Sequence, residues 1–390
     1  MAVGDIYKLH LESITHGGEA IGRIEGKPVF VERGAPHETV LCKILEDHKT
    51  WAKAEFLEII EVSPSRVNCS CPFYGKCGGC NLQHIDYDSQ LAEKTSIIKN
   101  TFARTGKINV PEIEVFSSPQ WEYRNRMQFH CLRQSAKNTE NRKFGLMGKR
   151  SNEIISIPDC HIAVPGIRKI LNDSGSITGF KPPPEKDRFN VFSKDDVLLN
   201  EGGQQRGKIV LLEKEISLDA GLFFQSNCSV LEKFIPELRK IAKEADKNLP
   251  MADLYCGVGT FAVFLGDSFP KIILAEENKT AVSIARENLK GMNTEFFAVR
   301  DTQWPQVLLH KKCAFGFAVV DPPRAGLSLK LAEVLAQNGP LLLAYVSCDI
   351  SSLVRDSRIL INGSYELKEL KFFDFYPQTA HIECLAVFRK

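Results

Sequence analysis

Apolar and polar residues alternate in short segments over the first part of the chain. Four such segments are YKLHLESI, GKPVFVE, ETVLCKILED and WAKAEFLEII, and turns with glycine or proline separate them. Alternation with a period of two predicts half-buried β-strands. Four or five short strands in about 60 residues are typical of a small barrel of the oligonucleotide-binding (OB) type. We therefore predict an OB-like β-barrel over residues 1–62.

The middle of the chain, residues 63–220, is predicted to form a central antiparallel β domain. It begins with a cysteine-rich loop, followed by a helix from about residue 89 to residue 104. The strand candidates that come next are YRNRMQFHCL, FGLMG and KIVLLEK. The proline-rich segment KPPPEKD interrupts them and is predicted to be a loop.

From residue 221 the pattern changes to an alternation of helix and strand. VLEKFIPELRKIAKEA has apolar residues at helical spacing, whereas FGFAVVDPP and LLLAYVSCD begin with the continuous apolar runs of buried parallel strands. This alternation predicts a Rossmann-like, doubly wound α/β domain over residues 221–390. Ligands of such domains bind at the carboxyl ends of the strands. The fold class is therefore multidomain, with a barrel, a central β domain and an α/β domain.

The composition limits the class of protein and its compartment. The chain has 390 residues, of which 43% are apolar and 25% charged, as in an ordinary globular protein. No apolar run approaches the roughly 18 residues of a membrane span. Asp5 and Lys8 lie where the apolar part of a signal peptide would begin. We expect a cytoplasmic protein with no membrane partner, in which thiols stay reduced.

Four of the twelve cysteines lie in the segment CSCPFYGKCGGC, residues 69–80. A reducing compartment makes disulfides the least favoured use of these thiols. Four thiolates suit either a zinc ion or an iron–sulfur cluster, and the residue types alone leave both open.

The segment between Arg124 and Arg150 is strongly basic. It contains eight basic residues and one acid, Glu140, with aromatic residues among them. Such a stripe can neutralise phosphates and stack unpaired bases, which favours a nucleic-acid partner. A solvated hairpin with a flexible tip explains the same pattern, so the stripe alone leaves both interpretations open.

Two predicted strand ends indicate a cofactor site. DLYCGVGTF, residues 253–261, places a G-x-G turn after a strand, and glycines there let the backbone approach a ligand closely. The next strand ends in Glu276 and Glu277, either of which can accept hydrogen bonds from ribose hydroxyls; we favour Glu276. The alternative is an ordinary tight turn followed by a surface acid.

Three further residues are candidates for the chemistry. VVDPPRAGL delivers Asp321 to a strand end, and D-P-P also occurs in amino-group methyltransferases. YVSCD delivers Cys348 to another strand end, where it is either a nucleophile or a small core residue. Glu383 lies in the apolar pattern HIECLAVF, where burial would raise its pKa and suit it for proton transfer. A salt bridge is the alternative role for Glu383.

Together these motifs resemble the RNA (uracil-5-)-methyltransferase family. The closest resemblance is to its iron–sulfur members, which methylate 23S ribosomal RNA and begin with a TRAM domain. The motifs that carry it run over nearly the whole chain: C-x5-C-x2-C at Cys71, Cys77 and Cys80, IPDCHIA around Cys160, FFQSN, DLYCGVGTF, DPPRAGL, YVSCD and PQTAHIE. The chain departs from the usual S-C-N-P of the family, because Asp349 and Ile350 follow Cys348.

The resemblance implies the cofactors and the residues that hold them. Cys71, Cys77, Cys80 and Cys160 would bind a [4Fe–4S] cluster, with zinc less favoured and Cys69 a bystander. S-adenosyl-L-methionine (SAM) would be the methyl donor. The implied cofactor-binding residues are Gln225, Tyr255, Gly257, Thr260, Glu276, Asp301 and Asp321.

The resemblance also implies a reaction. Cys348 would attack C6 of a uridine, C5 would take the methyl group, and Glu383 would remove the C5 proton. The expected partner is ribosomal RNA, with transfer RNA as the second choice and no obligate protein partner, so we expect a monomer. Two other readings stay open: an amino-group methyltransferase that needs neither Cys348 nor Glu383, and a catalytically silent RNA-binding factor, which the Asp349–Ile350 departure favours.

Overall fold

The structure is a computed structural model that describes residues 1–131, 144–173, 180, 182–183, 185–306 and 315–390. Half of the predicted basic stripe, with Arg133, Lys137, Arg142 and Lys143, lies outside the described residues, as does part of the KPPPEKD segment. No helix among the described residues is long and apolar enough to cross a membrane.

The N-terminal segment forms the predicted barrel. Five strands close on themselves in the order β1-β2-β3-β5-β4. Their bounds are Ile6–Ile14 (β1), Ala20–Ile24 (β2), Lys27–Val31 (β3), Thr39–Asp47 (β4) and Ala52–Glu61 (β5). Alternate side chains such as Leu9, Leu11, Val29 and Val31 point inward and are buried, which is why the period-two pattern was visible in the sequence.

The central region consists of a five-stranded sheet in the order β11-β10-β7-β8-β9 and a separate β12-β13 hairpin. The strands are Arg126–Cys131 (β7), Phe144–Met147 (β8), Ile154–Ile155 (β9), Arg188–Lys194 (β10), Val197–Asn200 (β11), Arg206–Leu211 (β12) and Lys214–Asp219 (β13). A helix, α2 (Pro165–Asp173), packs on this sheet. The strand candidate KIVLLEK is confirmed in its first four residues, which belong to β12; the chain then turns at Leu212, with φ of 49°, and β13 begins at Lys214.

The helix predicted near residues 89–104 is α1 (Tyr87–Thr101), which continues into a short π-helical turn, Phe102–Gly106. It is followed by β6 (Ile113–Phe116), which pairs in parallel with a C-terminal strand, β19 (Glu366–Phe373). Residues that we assigned by sequence to the central domain thus extend the C-terminal sheet. The domain boundaries at 62/63 and 220/221 stay predictions.

The C-terminal region is an eight-stranded sheet flanked by helices, in the order β16-β15-β14-β17-β18-β20-β19-β6. Its remaining strands are Met251–Leu254 (β14), Ile272–Ala275 (β15), Thr294–Phe297 (β16), Phe317–Val320 (β17), Leu342–Ser347 (β18) and Glu383–Arg389 (β20). The helices are Cys228–Lys243 (α3), Thr260–Leu265 (α4), Lys279–Asn288 (α5), Leu329–Asn338 (α6) and Ile350–Asn362 (α7).

The strand directions decide where the site lies. β14, β15, β17 and β18 are parallel, so their carboxyl ends share one edge of the sheet. β20 is antiparallel to β18, so its first residue, Glu383, lies at that same edge. The Rossmann-like arrangement predicted from the sequence is therefore confirmed, and it gathers the predicted strand-end residues together.

Candidate active site

A cavity of about 690 Å³ opens at the carboxyl edge of the C-terminal sheet. Its lining includes eight of the nine residues that we predicted for catalysis or cofactor binding: Gln225, Tyr255, Gly257, Glu276, Asp301, Asp321, Cys348 and Glu383. Thr260 is not among the lining residues, because it begins α4 behind the turn. The structure thus brings together residues that are up to 158 positions apart in the chain, from Gln225 to Glu383.

The G-x-G turn forms one end of the cavity. Tyr255 and Gly257 have φ of 63° and 53°, in the left-handed region. A Cβ built on Gly257 would meet no atom within 4 Å, so its backbone is open to a ligand. The amide N–H of Gly257 donates to Glu276 Oε2 at 3.1 Å, which fixes the carboxylate beside the turn. An open backbone beside a fixed carboxylate is the arrangement that we predicted for the cofactor site, and its role in binding SAM stays a prediction.

The two candidate acids differ in their surroundings. Glu276 also accepts a hydrogen bond from the Asn278 amide, at 2.8 Å to Oε1, and is half-buried. Glu277 lines the same cavity but is exposed. Because the backbone already orients Glu276, it is the better placed of the two to bind ribose hydroxyls.

Aromatic side chains wall the cavity near this end. The Tyr255 hydroxyl donates to Asp301 Oδ2 at 3.2 Å. The Tyr255 ring packs edge-on against Trp304, with 4.4 Å between ring centroids. We did not predict Trp304 from the sequence, although it lies only three residues after Asp301, which we did predict to bind the cofactor.

Cys348 and Glu383 form the other end of the cavity. Ser347–Cys384 is the last pair of the antiparallel β18–β20 ladder, and continuing its register by one step places Cys348 opposite Glu383. Burial raises the pKa of the Cys348 thiol to about 12, and the Glu383 and Asp321 carboxyls act in the same direction. The Arg324 guanidinium opposes them and lowers this pKa.

The two carboxyl groups at this end are close enough to influence each other; Glu383 is buried and Asp321 is half-buried. Burial raises the pKa of Asp321 to about 7. Burial and the Asp321 charge raise the pKa of Glu383 well above its ordinary value. The amide of Gln225 donates to Asp321 Oδ2 at 3.4 Å. A buried carboxyl of raised pKa beside a thiol is suited to move protons at neutral pH.

The Asp349–Ile350 departure has a structural explanation. The Asp349 side chain caps α7 by accepting a hydrogen bond from the Ser352 amide at 2.8 Å. Ile350, the first residue of α7, is buried in the core. The helix therefore starts at the expected place without a proline, and the added carboxylate is engaged with the backbone.

Sequence reasoning did not select four other lining residues: Arg124, Arg324, Tyr376 and His381. Desolvation at the cavity wall, followed by the Arg324 and Arg124 charges, lowers the pKa of His381, although the residue is exposed on its other side. Burial, with the Glu383 charge acting in the same direction, raises the pKa of Tyr376 to about 12. The phrase PQTAHIE, which precedes the last strand, was the available signal for His381.

A second cavity, of about 500 Å³, contains the predicted metal ligands. Cys71, Cys77, Cys80 and Cys160 all line it, whereas Cys69 does not. The Gly79 amide donates to Cys77 Sγ at 3.3 Å. Arg124 lines this cavity as well as the first, so the two are neighbours.

The four thiols are not arranged with the geometry of a metal site. Within the described parts of the chain, no group of three or more His, Cys, Asp or Glu side chains is arranged to hold a metal ion. The donor chemistry nevertheless fits, because four cysteines from distant parts of the sequence share one cavity. The metal site stays a prediction.

Comparison with known proteins shows where the chain belongs. The tRNA (uracil-5-)-methyltransferase family model matches residues 212–390, and the TRAM domain model matches residues 2–57. An uncharacterized RNA methyltransferase of Treponema denticola is 32% identical over 397 residues, which cover 94% of each chain. The 23S rRNA (uracil(1939)-C(5))-methyltransferase RlmD of Shewanella halifaxensis is 28% identical, over 97% of this chain and 95% of its own.

The fold as a whole has a solved counterpart. The tRNA (uracil-54, C5)-methyltransferase of Pyrococcus abyssi, in complex with S-adenosyl-L-homocysteine, superposes with a TM-score of 0.73 at 20% identity. The match covers 98% of this chain and 100% of that one. From the family models, the full-length relatives and the shared fold, we conclude that this chain belongs to the RNA (uracil-5-)-methyltransferase family and is a SAM-dependent enzyme.

Proposed function

We propose that this enzyme methylates C5 of a specific uridine in 23S ribosomal RNA through a covalent bond between Cys348 and C6. The observation that carries the proposal is the opposition of Cys348 and Glu383 in one cavity with the G-x-G turn. The ribosomal substrate is supported by two full-length relatives at 28% identity, each named as a 23S rRNA (uracil(1939)-C(5))-methyltransferase.

The chemistry needs a nucleophile because C5 of uracil is itself a weak one. The thiolate of Cys348 adds to C6, the C5–C6 double bond opens, and C5 becomes the carbon of an enolate. SAM, when bound, supplies an electrophilic methyl group to C5. Glu383 then removes the C5 proton, the double bond re-forms, and the C6–S bond breaks to release Cys348.

The electrostatics of the site bears on the first step, the attack by Cys348. The Cys348 thiol is protonated at neutral pH, because its pKa is about 12 in the free enzyme. Its proton must therefore leave as the bond to C6 forms, and we assign its acceptance to the Asp321 carboxyl, which lines the same cavity and whose charge acts on the thiol. Gln225, which donates to Asp321, holds that carboxyl in position.

The uridine must leave its base stack to reach Cys348, so we expect a flipped or single-stranded target. Arg124, Tyr376 and His381 line the cavity next to the reacting groups and are available to contact the base and its phosphate. The N-terminal barrel, which the TRAM model matches, is proposed to hold the surrounding RNA.

We further propose that Cys71, Cys77, Cys80 and Cys160 hold a [4Fe–4S] cluster, with a structural or RNA-docking role. Zinc is the alternative, since it accepts the same four thiolates. Anaerobically purified protein should contain iron and sulfide and be brown. Cys77→Ala should lose the metal, whereas Cys69→Ala, the matched control outside the cavity, should keep it. Protein that contains zinc and no iron would refute the cluster proposal. A Cys77→Ala variant with the metal content, RNA affinity and melting temperature of the wild type would refute it as well.

The function itself is tested by methyl transfer from labelled SAM. The substrates are ribosomal RNA and transfer RNA that lack 5-methyluridine, and Cys348→Ala is the control. Label in ribosomal RNA alone, lost in the control, is the expected result. Label in transfer RNA would favour the second candidate, which the name of the matching family model suggests. Methyl transfer that survives in Cys348→Ala would refute the covalent mechanism.

A further inference from the structure

The segment that precedes Glu383, residues 374–382, has no regular secondary structure. It brings Tyr376 and His381 to the active-site cavity and leads directly into Glu383. Gln378, in its middle, is buried and has φ of 66°, a conformation that is unfavourable for a residue with a side chain. Such a segment keeps one conformation only if its surroundings fix it.

Residues next to the cysteine-lined cavity fix this segment. The backbone amides of Asn81 and Leu82 both donate to the Gln378 carbonyl at 3.0 Å. The Asn81 side chain accepts a hydrogen bond from the Ala380 amide, at 2.9 Å to Oδ1. Asn81 directly follows Cys80, one of the four cysteines of that cavity. The loop that carries the thiols thus contacts the backbone three residues before Glu383.

Other contacts hold the first half of the segment independently. Lys94 of α1 donates to the Tyr376 carbonyl at 3.2 Å, and the Tyr123 hydroxyl donates to the Pro377 carbonyl at 2.8 Å. Gln90 of α1 accepts a hydrogen bond from the Gln378 amide at 2.9 Å. Beyond Gln378, the Asn81 side chain reaches the Ala380 amide from another part of the chain, whereas the His381 amide donates to Thr379 Oγ1, within the segment, at 3.2 Å.

Asn81 is itself held from the opposite side. Its side-chain amide donates to the Gly17 carbonyl at 3.0 Å, in the turn between β1 and β2 of the barrel. One asparagine therefore joins the barrel, the thiol-bearing loop and the catalytic end of the sheet. An asparagine suits this position, because its side chain both donates and accepts.

We propose that Asn81 is a positioning residue, which holds the 380–383 backbone so that the Glu383 carboxyl reaches the C5 proton. These hydrogen bonds use the backbone and side chain of Asn81 and none of the four thiols, so the proposal is argued without the metal. It does rest on the proposed role of Glu383 as the base. If it is correct, loss of the Asn81 side chain slows removal of the C5 proton and leaves the earlier attack by Cys348 intact.

The test separates these two steps. With uridine-containing RNA and SAM, Asn81→Ala should turn over about tenfold more slowly or worse, since small displacements of a reacting group have effects of this size. A covalent protein–RNA adduct, stable in denaturing gels, should accumulate because release has become slow. With 5-fluorouridine RNA, adduct should form at nearly the wild-type rate, because fluorine at C5 prevents release and the base is not needed.

Three further variants complete the experiment. Asn81→Asp keeps the acceptor for the Ala380 amide and should recover most of the turnover. Asn68→Ala, an exposed asparagine in the same region, should behave as wild type. In Asn81→Ser the serine side chain is too short to reach Ala380, so this variant should show the same slow turnover and adduct accumulation as Asn81→Ala. It is used in place of Asn81→Ala if that variant does not fold.

The outcomes distinguish the two proposals. Glu383→Gln should accumulate adduct with uridine RNA, and if it does not, the role of Glu383 as the base is wrong. If Glu383→Gln accumulates adduct but Asn81→Ala does not, only the positioning role is wrong. In Asn81→Ala, turnover and the rate of adduct formation with 5-fluorouridine RNA could fall by the same factor, together with the melting temperature. That result would show that Asn81 is purely structural and would overturn the inference.

Discussion

Cys348 and Glu383 lie one step beyond Ser347–Cys384, the last pair of the antiparallel β18–β20 ladder, and both line the active-site cavity. The two residues are 35 positions apart in sequence, and no local pattern pairs them. Their proximity has an electrostatic consequence, because the Glu383 carboxyl helps to raise the pKa of the Cys348 thiol. In the proposed reaction, Cys348 would form the covalent bond to C6, and Glu383 would remove the C5 proton so that this bond can break.

The first prediction concerns the pH dependence of catalysis. The Cys348 thiol, with a pKa of about 12, is protonated throughout the working range. Below that pKa, the thiolate fraction increases about tenfold for each unit by which the pH is raised. We therefore expect kcat/KM to increase with pH between about 6 and 8.5. Ionisation of Asp321, whose pKa is raised by desolvation, acts in the same direction by providing a proton acceptor as the pH rises.

The pH profile is measured with saturating SAM and limiting RNA. A second reading, alkylation of the Cys348 peptide followed by mass spectrometry, reports on the thiol without substrate and should show the same direction. A profile that levels off near pH 8 to 9 would mean that the thiol ionises in the ordinary range, and a profile that is already flat from pH 6 would mean that the thiolate is formed there.

The second prediction distinguishes the two acids after β15. Glu276→Ala should weaken SAM binding by about 10- to 100-fold, the size expected when a charged hydrogen-bonding group is lost. Glu277→Ala, the exposed neighbour, should change it by less than about twofold. Titration calorimetry with S-adenosyl-L-homocysteine measures both. Equal losses in the two variants would mean that the ribose contact is not specific to Glu276.

The third prediction concerns a buried ion pair that supports the catalytic segment. Lys94 of α1 donates to Asp374 Oδ1 at 2.7 Å, and both side chains are fully buried. Lys94→Met leaves the Asp374 carboxylate without its partner and should lower the free energy of unfolding by about 3–5 kcal/mol. Chemical denaturation measures the loss.

Two further variants give the controls for this pair. Lys99→Met changes an exposed lysine of the same helix and should alter the free energy of unfolding by less than about 0.5 kcal/mol. The double variant Lys94→Met/Asp374→Asn should be more stable than Lys94→Met alone, because no unpaired charge remains. A single variant as stable as wild type would show that water reaches the site.

The fourth prediction concerns the Asp349–Ile350 departure from the family pattern. Asp349→Asn keeps an oxygen that can cap α7, so methyl transfer and stability should change little. Asp349→Ala removes the hydrogen bond to the Ser352 amide and should reduce the free energy of unfolding by about 1 kcal/mol. If Asp349→Asn increased the reactivity of the Cys348 thiol severalfold, the carboxylate would be acting on the thiol rather than on the helix.

Much of the architecture was predictable because its patterns are local. The barrel strands alternate with a period of two, and the α/β strands are continuous apolar runs, so both were recognised before the structure. The turn at Leu212 was missed because no glycine or asparagine marks its left-handed residue. The place of β6 in the C-terminal sheet was missed because its partner, β19, lies about 250 residues later.

The sequence by itself determined which residues can do chemistry at the strand ends, since parallel strands deliver their last residues to one edge of a sheet. It also identified the family through ordered motifs. Only the tertiary structure decided which residues meet. Antiparallel pairing put Glu383 opposite Cys348, and packing of the cysteine loop put Asn81 against Ala380. Such contacts join distant segments through non-local packing, and a single sequence carries no local pattern that specifies them.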